Sequence, residues 1–230
     1  FAIGIQPTGS QDPFALRRSA LGIINIILDK KLNLSLGEFV DFALYIYVDE
    51  NGLAFDYNKV KSEIMEFFIG RVKNMFLDMN IRYDIIDAVI NTKIDDIYDL
   101  RIRADKLNNW LNKDGLQDIL TAFNRVSTLA VKSNSNEVKR DLLTEDEIEL
   151  YDSYNNIEDK VLALIDRKEY DKALDLLTTL KDPIDNFFEK VMVMVEDENI
   201  KRNRLGLLRK IYDIMLKVCD LSLVINYDVP

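Results

Sequence analysis

Apolar residues recur along this chain at three- and four-residue intervals almost from one end to the other, the spacing of one face of an α-helix. Leu16, Ala20, Ile23, Ile24 and Ile27 form the first stripe, behind Asp12-Pro13, a capping residue followed by a proline suited to a first helical turn. A helix over 13–29 is therefore expected. Leu36, Phe39, Val40, Ala43, Leu44 and Tyr47 predict a second, ended by the turn pair Asn51-Gly52. Val60 to Phe76 predicts a third, Ile85 to Ile90 a short fourth, Ile97 to Leu111 a fifth, and Leu116 to Val131 a sixth after Asp114-Gly115.

The pattern lapses at Ser133-Asn134-Ser135-Asn136-Glu137, five consecutive polar residues with no apolar stripe, which is the composition of a linker. Beyond it the spacing predicts helices over about 145–166, 169–180, 183–195 and 199–224, the third opened by Asp182-Pro183 in the manner of Asp12-Pro13. Val191-Met192-Val193-Met194-Val195 fits a buried strand by periodicity alone; the helix signals on both sides favour helix. The expected fold is all-α, with two helical bundles at 1–133 and 141–230 joined by a linker at 134–140.

Composition narrows the chemistry. The 230 residues include 8 Gly and 4 Pro, fewer helix breakers than average usage of about 7% and 5%. There is no histidine and one cysteine, Cys219, which excludes from this chain disulfides, Cys/His zinc sites, histidine general bases and Ser-His-Asp or Cys-His nucleophile systems. No glycine-rich phosphate cradle or nucleophile elbow occurs. No apolar run approaches the roughly 18 residues of a membrane span, and the start at Phe1 lacks a charged signal region; a cytosolic fragment is expected.

Charge changes the picture more than composition does. Thirty basic and 40 acidic residues give a net charge of −10, yet the excess is local. Residues 135–200 carry 8 basic and 19 acidic groups, whereas 201–230 carry 6 and 3. Lys201, Arg202, Arg204, Arg209 and Lys210 place five cations in ten residues with no acid among them. At 100° per residue, Arg202, Arg209, Lys210, Asp213 and Lys217 share a face opposite Leu208, Ile211 and Met215. That stripe reads as a solvated outer face or as a phosphate-contacting one. Arg204 falls on the apolar side and calls for an internal carboxylate, with Glu196, Asp197 and Glu198 nearest in sequence. Arg17 and Arg18 point partly outward from the first helix and are further candidates. The loop Gln6–Gln11 reads as a structural turn. Asp95-Asp96 and Glu145-Asp146-Glu147 sit at helix starts, where acids complement the dipole, and no metal site is assigned to them. Trp110, Tyr151 and Tyr154 could stack on bases, but aromatics at helical spacing are more often packing residues.

Several blocks resemble a known family. Pro7-Thr8-Gly9-Ser10-Gln11-Asp12-Pro13-Phe14-Ala15-Leu16-Arg17-Arg18, Arg82-Tyr83-Asp84-Ile85-Ile86-Asp87-Ala88-Val89 and Asn124-Arg125-Val126 are similar, in order, to segments of the β subunit of the two-subunit bacterial glycyl-tRNA synthetase. Ile184 to Asp197, continuing through Arg202-Asn203-Arg204-Leu205 to Cys219-Asp220-Leu221-Ser222-Leu223, resembles the DALR-type anticodon-binding domain that this family shares with arginyl-tRNA synthetases. The resemblance implies the C-terminal portion of such a subunit: the end of an HD-like helical domain followed by the DALR-type bundle.

It further implies a cytoplasmic α₂β₂ glycine–tRNA ligase whose α subunit holds the ATP- and Mg²⁺-dependent catalytic site. The present portion would have no catalytic or metal-binding residues and no cofactor of its own; its HD motif cannot be present without histidine. Its partners would be glycine tRNA and the α subunit, with no role for DNA or a membrane. The candidate tRNA-binding residues are Lys201, Arg202, Arg209, Lys210, Lys217, Arg17, Arg18 and Arg125, with Arg204 in a structural ion pair. Two alternatives are a helical scaffold for subunit assembly and an arginyl-type anticodon-binding module.

Overall fold

A computed structural model describes residues 1–7, 12, 14–50, 52–92, 95–113 and 116–225, with the side chains of residues 49 and 50 excluded. Among these residues the regular structure is entirely helical, as the periodicity requires. The helices are α1 (Leu16–Asp29), α2 (Leu36–Tyr45), α3 (Tyr57–Asp78), α4 (Tyr83–Ile90), α5 (Ile97–Trp110), α6 (Leu116–Ala130), α7 (Glu145–Asp166), α8 (Tyr170–Leu177), α9 (Lys181–Lys190) and α10 (Glu198–Leu216). Thr8–Gln11, Pro13, Asn51 and Asp114-Gly115, which the sequence reads as turns or a helix start, lie outside the described residues.

The helix starts are fixed by side chains that take up orphan backbone donors. Ser35 accepts from the Glu38 amide at 3.0 Å, Asp56 from Lys59 at 3.1 Å, and Asp197 from Asn199 and Ile200 at 2.9 and 3.1 Å. Thr144 and Glu147 form a reciprocal capping box at the head of α7. The first helix begins three residues later than expected. Asp12 caps it from a distance, accepting from the amides of Leu16 and Arg17 at 2.7 and 3.0 Å, while Ala15 takes a left-handed turn. After α2 the backbone widens into a π-helical turn at Ile46–Glu50. Gly52, with φ of 62°, then reverses the chain in a conformation that disfavours a side chain.

The chain divides into two compact units. The first comprises Phe1–Ile86 with Lys93–Ile102, the second Asp87–Thr92 with Arg103–Pro230. In the first, α3 packs against α1 and α2. Ala20, Ile24 and Ile27 of α1, Leu36, Val40 and Leu44 of α2, and Val60, Phe68, Val72 and Phe76 of α3 are buried there. In the second, α6 and α10 form the central pair, with α9 against α6 and α7 against α8, α9 and α10. Phe123, Val126, Leu150, Val161, Leu174, Phe187, Leu207, Leu208, Ile211 and Met215 fill its core, each such side chain contributing roughly 1.5–3 kcal/mol by leaving water. Trp110 is almost fully buried in this unit, with its indole N–H donating to Asp175 at 2.9 Å.

Three elements differ from the sequence expectation. The helix predicted over about 199–224 runs from Glu198 to Leu216 and is followed by a separate 3₁₀ turn at Leu221–Leu223, which Asp220 caps by accepting from the Ser222 amide. The helix predicted over 183–195 begins at Lys181 and ends at Lys190. Pro183 sits in its first turn, where a missing N–H leaves no intrahelical bond unmade. Val191–Val195 is neither helix nor strand but a crossing toward α10 that bends at Val193 and Met194, where the Val195 amide donates to the Val193 carbonyl at 3.2 Å. Val191 and Val193 are buried, while Met192 and Met194 are 74% and 48% exposed, so the period-two pattern records alternate side chains turned to the core and to solvent without a strand.

The segment expected as a linker, 134–140, lies within the second unit, clamped onto α10. Asn203 accepts from the Lys139 amide at 2.7 Å and donates to the Lys139 carbonyl at 3.0 Å. Asn136 donates to Asp213 at 2.9 Å, and Arg209 to the Ser133 carbonyl at 3.3 Å. Between these, the backbone at Glu137 comes so close to Gly206 that a Cβ there would lie 2.5 Å from the Glu137 carbonyl oxygen. Polar groups and one glycine hold the segment, and hydrophobic periodicity does not register them.

Candidate nucleic-acid interface

Helix α10 carries the expected basic stripe, and its opposite face is buried by Leu207, Leu208, Ile211, Ile214 and Met215. The stripe is not uniformly free. Lys201 pairs with Glu198 one turn earlier. Arg209 donates to Asp213 at 2.7 Å as well as to Ser133. Lys210 reaches Glu158 of α7 at 3.3 Å and lies over the Tyr154 ring. Arg202 and Lys217 are exposed and make no ion pair among the described residues. They mark the two ends of the helix, roughly 22 Å apart at 1.5 Å per residue. Arg202 lines a shallow cavity of about 150 Å³ with Lys139, Asn199 and Asn203. Lys217 lines a second, of about 210 Å³, with Lys210, Asn136 and Glu158.

Arg204 turns inward, as its position on the wheel requires. Its partner is not one of the acids adjacent in sequence but Glu147, fully buried at the head of α7. Its second contact is the Met192 carbonyl at 2.9 Å. Burial alone would push the Glu147 carboxyl up; hydrogen bonds from Arg204 and Thr144 and the Arg204 charge outweigh it and hold the group below its ordinary value. Through the Met192 carbonyl this pair anchors the 191–195 crossing.

Arg125 is exposed on α6. It donates to Asp185 of α9 at 3.2 Å, and its guanidinium carbon lies 4.4 Å from the Phe188 ring centroid. Arg17 and Arg18 belong to the first unit, Arg17 half-buried and Arg18 exposed.

The remaining sequence candidates resolve into structural roles. Trp110 and Tyr154 are buried, at 1% and 2% exposure, and offer no ring face to a base. Asp95 accepts from Ser35 at 2.8 Å and from the Gly37 amide at 3.1 Å, and Asp96 from the Asp99 amide at 2.9 Å, so both tie helix starts together. Among the described residues no three acidic or sulfur side chains converge on a point that could hold a metal ion. Burial pushes the Cys219 thiol up to about 12, which removes its nucleophilicity. Asp220, beside it, went unnoticed in the sequence as a hub. It is 2% exposed and accepts from Tyr212 at 3.0 Å, Asn91 at 2.9 Å and both the amide and hydroxyl of Ser222 at 3.1 and 2.6 Å. Burial and this carboxylate push the Tyr212 hydroxyl up to about 12.

The second unit is thus a helical bundle with exposed cations at the two ends of α10 and an arginine–aromatic pair on α6. Residues 119–221, which run from within α6 through α10, match the family model described as DALR anticodon binding domain. Residues 1–91 match the model described as glycyl-tRNA synthetase beta subunit. A glycine–tRNA ligase beta subunit of Clostridioides difficile (strain 630) is 51% identical over 226 residues, covering 98% of this chain and 32% of that protein. Those of Desulforamulus reducens and Syntrophomonas wolfei are 42% and 38% identical, covering 98% of this chain and 32% and 33% of their own lengths. The chain is thus similar over nearly its whole length to glycyl-tRNA synthetase β subunits, and spans about a third of the length of the curated relatives it matches. No helix among the described residues is long and apolar enough to cross a membrane.

Proposed function

We propose that this chain is the tRNA-gripping portion of a cytoplasmic glycine–tRNA ligase β subunit, and that its second unit holds the anticodon stem-loop. The observation that carries the reading is the coincidence of the anticodon-binding match at 119–221 with the α6–α10 bundle, on which Arg202 and Lys217 stand exposed and uncommitted. Phosphate contacts would position the RNA, and bases splayed from the loop would carry identity. Arg202 and Lys217 contact phosphate first. Lys201, Arg209 and Lys210 join only by exchanging their present carboxylates for phosphate oxygens, a near-neutral trade that adds little affinity. Arg17 and Arg18 supply a further grip from the first unit.

Ligation itself needs ATP and Mg²⁺, and the reading assigns both to the α subunit of an α₂β₂ enzyme. A titration tests the proposal: the chain against a glycine-tRNA anticodon stem-loop, and against one with its two cytosines replaced, across several salt concentrations. Salt-dependent binding that favours the native loop is expected. Absence of salt-dependent binding refutes it, and displacement by excess arginine tRNA moves the module to an arginine system.

One observation favours subunit assembly as a second role. Phe39, Phe42 and Tyr45 stand 51%, 66% and 57% exposed on α2, an apolar face of the kind that meets protein rather than RNA. Tight binding to an α subunit that Phe42→Ser abolishes would support it.

A further inference from the structure

The outer face of α6 differs from the rest of the second unit's surface. Thr121, Asn124, Arg125 and Thr128, spaced to share one side of the helix, line a groove of about 460 Å³ against Leu129 and Phe188. The arginine is held from two sides. Its guanidinium carbon lies 4.4 Å from the Phe188 ring centroid, and Asp185, itself 3.3 Å from Lys181, accepts from it at 3.2 Å. A planar cation held by an aromatic ring and a carboxylate, with its side chain still 43% exposed, offers a stacking surface for a planar ligand. The groups around it are polar in a particular sense. The hydroxyls of Thr121 and Thr128 donate to the carbonyls of Gln117 at 2.9 Å and Asn124 at 2.8 Å. With the hydroxyl hydrogens so engaged, the oxygens of these two exposed threonines are left to accept. The Asn124 carboxamide makes no hydrogen bond among the described residues and is exposed.

We propose that this groove is a nucleobase shelf that holds one unstacked cytosine of the anticodon loop; the inference rests on the tRNA-gripping reading above. The base stacks on the Arg125 plane, backed by Phe188. The Asn124 carboxamide pairs with the Watson–Crick edge, accepting from the exocyclic amine and donating to N3. The threonine oxygens set the preference: while their hydrogens are engaged by the helix carbonyls they accept, which favours the cytosine amine over the uracil carbonyl at the same position. Arg125 therefore acts here by its plane rather than by its charge, which separates it from Arg202 and Lys217.

The test uses the whole chain and a glycine-tRNA anticodon stem-loop with a fluorescent pyrrolocytosine in place of each anticodon cytosine in turn, followed by polarisation and by quenching across a salt series. Arg125→Lys keeps the charge and loses the plane. It should weaken binding roughly tenfold, the scale of one stacked base, remove the quenching of one labelled position, and leave the salt slope unchanged. Phe188→Leu keeps an apolar contact on Phe187 and should act in the same direction. Thr121→Val with Thr128→Val should shrink the penalty for replacing that cytosine by uracil. Unaltered far-ultraviolet circular dichroism and Trp110 emission establish that the variants fold. The proposal is overturned if Arg125→Lys binds and quenches as the parent does. It is equally overturned if only Arg125→Ala matters and its effect is a salt slope lower by about one, which identifies a phosphate contact. Failure of the parent chain to bind the stem-loop at all removes the tRNA-gripping reading and the shelf with it, whereas parent binding with indifferent variants removes the shelf alone.

Discussion

Removing Glu147 should cost this protein more than removing any surface charge on the same helix. Glu147 is fully buried and the Arg204 side chain only 13% exposed, so either one left alone is a nearly dehydrated charge. Truncating one member of such a pair typically costs 3–5 kcal/mol. Glu147 also closes the α7 capping box, its carboxylate accepting from the Thr144 amide at 2.6 Å, and loss of a cap adds about 1 kcal/mol. Glu147→Ala should therefore lose about 4–6 kcal/mol, a large share of the 5–15 kcal/mol that holds a typical domain. Glu147→Gln, which retains an acceptor for Thr144, should lose about 3–5 kcal/mol.

The assay is urea unfolding followed by the emission of Trp110, the single tryptophan, which is buried in the same unit as the pair. Completing the cycle with Arg204→Met and the double variant isolates the interaction. The double variant should lose far less than the sum of the singles, with a coupling of about 2–3 kcal/mol. Singles that add to within about 0.5 kcal/mol would show that Arg204 finds other partners and would refute the assignment. The pH dependence has a fixed sign. A carboxyl held below its ordinary value of 4.5 stabilises the fold fully above that value and loses its contribution as pH falls through the lower folded-state value. Glu147→Gln should flatten that acid limb; a parent protein that gains stability through the pair on acidification would contradict the mechanism.

Glycines test the packing of the 134–140 segment. Gly206→Ala should destabilise by about 1–3 kcal/mol, since its Cβ would meet the Glu137 carbonyl and overpacking outweighs the ~1 kcal/mol gain in helix propensity. Gly22→Ala, in α1 with nothing within 4 Å of the new Cβ, should instead stabilise by about 0.5–1 kcal/mol in the same unfolding assay; two changes of the same sign would contradict this reading. Asp220→Asn should cost about 2–4 kcal/mol through its hydrogen-bond network and bring the Tyr212 hydroxyl down from about 12 toward 10, read by ultraviolet phenolate titration. Because Tyr212 titrates higher folded than unfolded, its contribution is complete below about pH 10 and is lost as pH rises toward 12. Arg202→Ala should weaken stem-loop binding uniformly across RNA sequences and lower the salt slope by about one. Arg209→Ala should alter the slope less, because its charge is already engaged by Asp213.

Helix existence was readable because burial imposes a 3.6-residue period wherever one face of a helix meets a core, and α1 to α10 all fall where that period appears. Boundaries were less readable. Asp12 caps α1 from outside the expected position, and α9 stops at Lys190 because the chain must cross to α10, a demand made by the partner helix and not by residues 191–195. The candidate site was half legible. Wheel geometry correctly turned Arg204 inward and put Arg202 and Lys217 on the surface, but it named the wrong carboxylates for Arg204. Glu147 lies 57 positions away, and nothing local marks it.

The amphipathic stripes, the proline and capping residues and the absence of histidine determined by themselves that this chain is helical and that histidine-dependent nucleophile systems and Cys/His zinc sites lie outside it. Those are local properties, set by periodicity and residue type. Which cations remain free, where polar residues 134–140 lie, and which arginine is held over an aromatic ring were decided by contacts between residues far apart in sequence. Such contacts depend on shape, on backbone hydrogen bonds and on one missing Cβ at Gly206, none of which leaves a periodic trace along the chain.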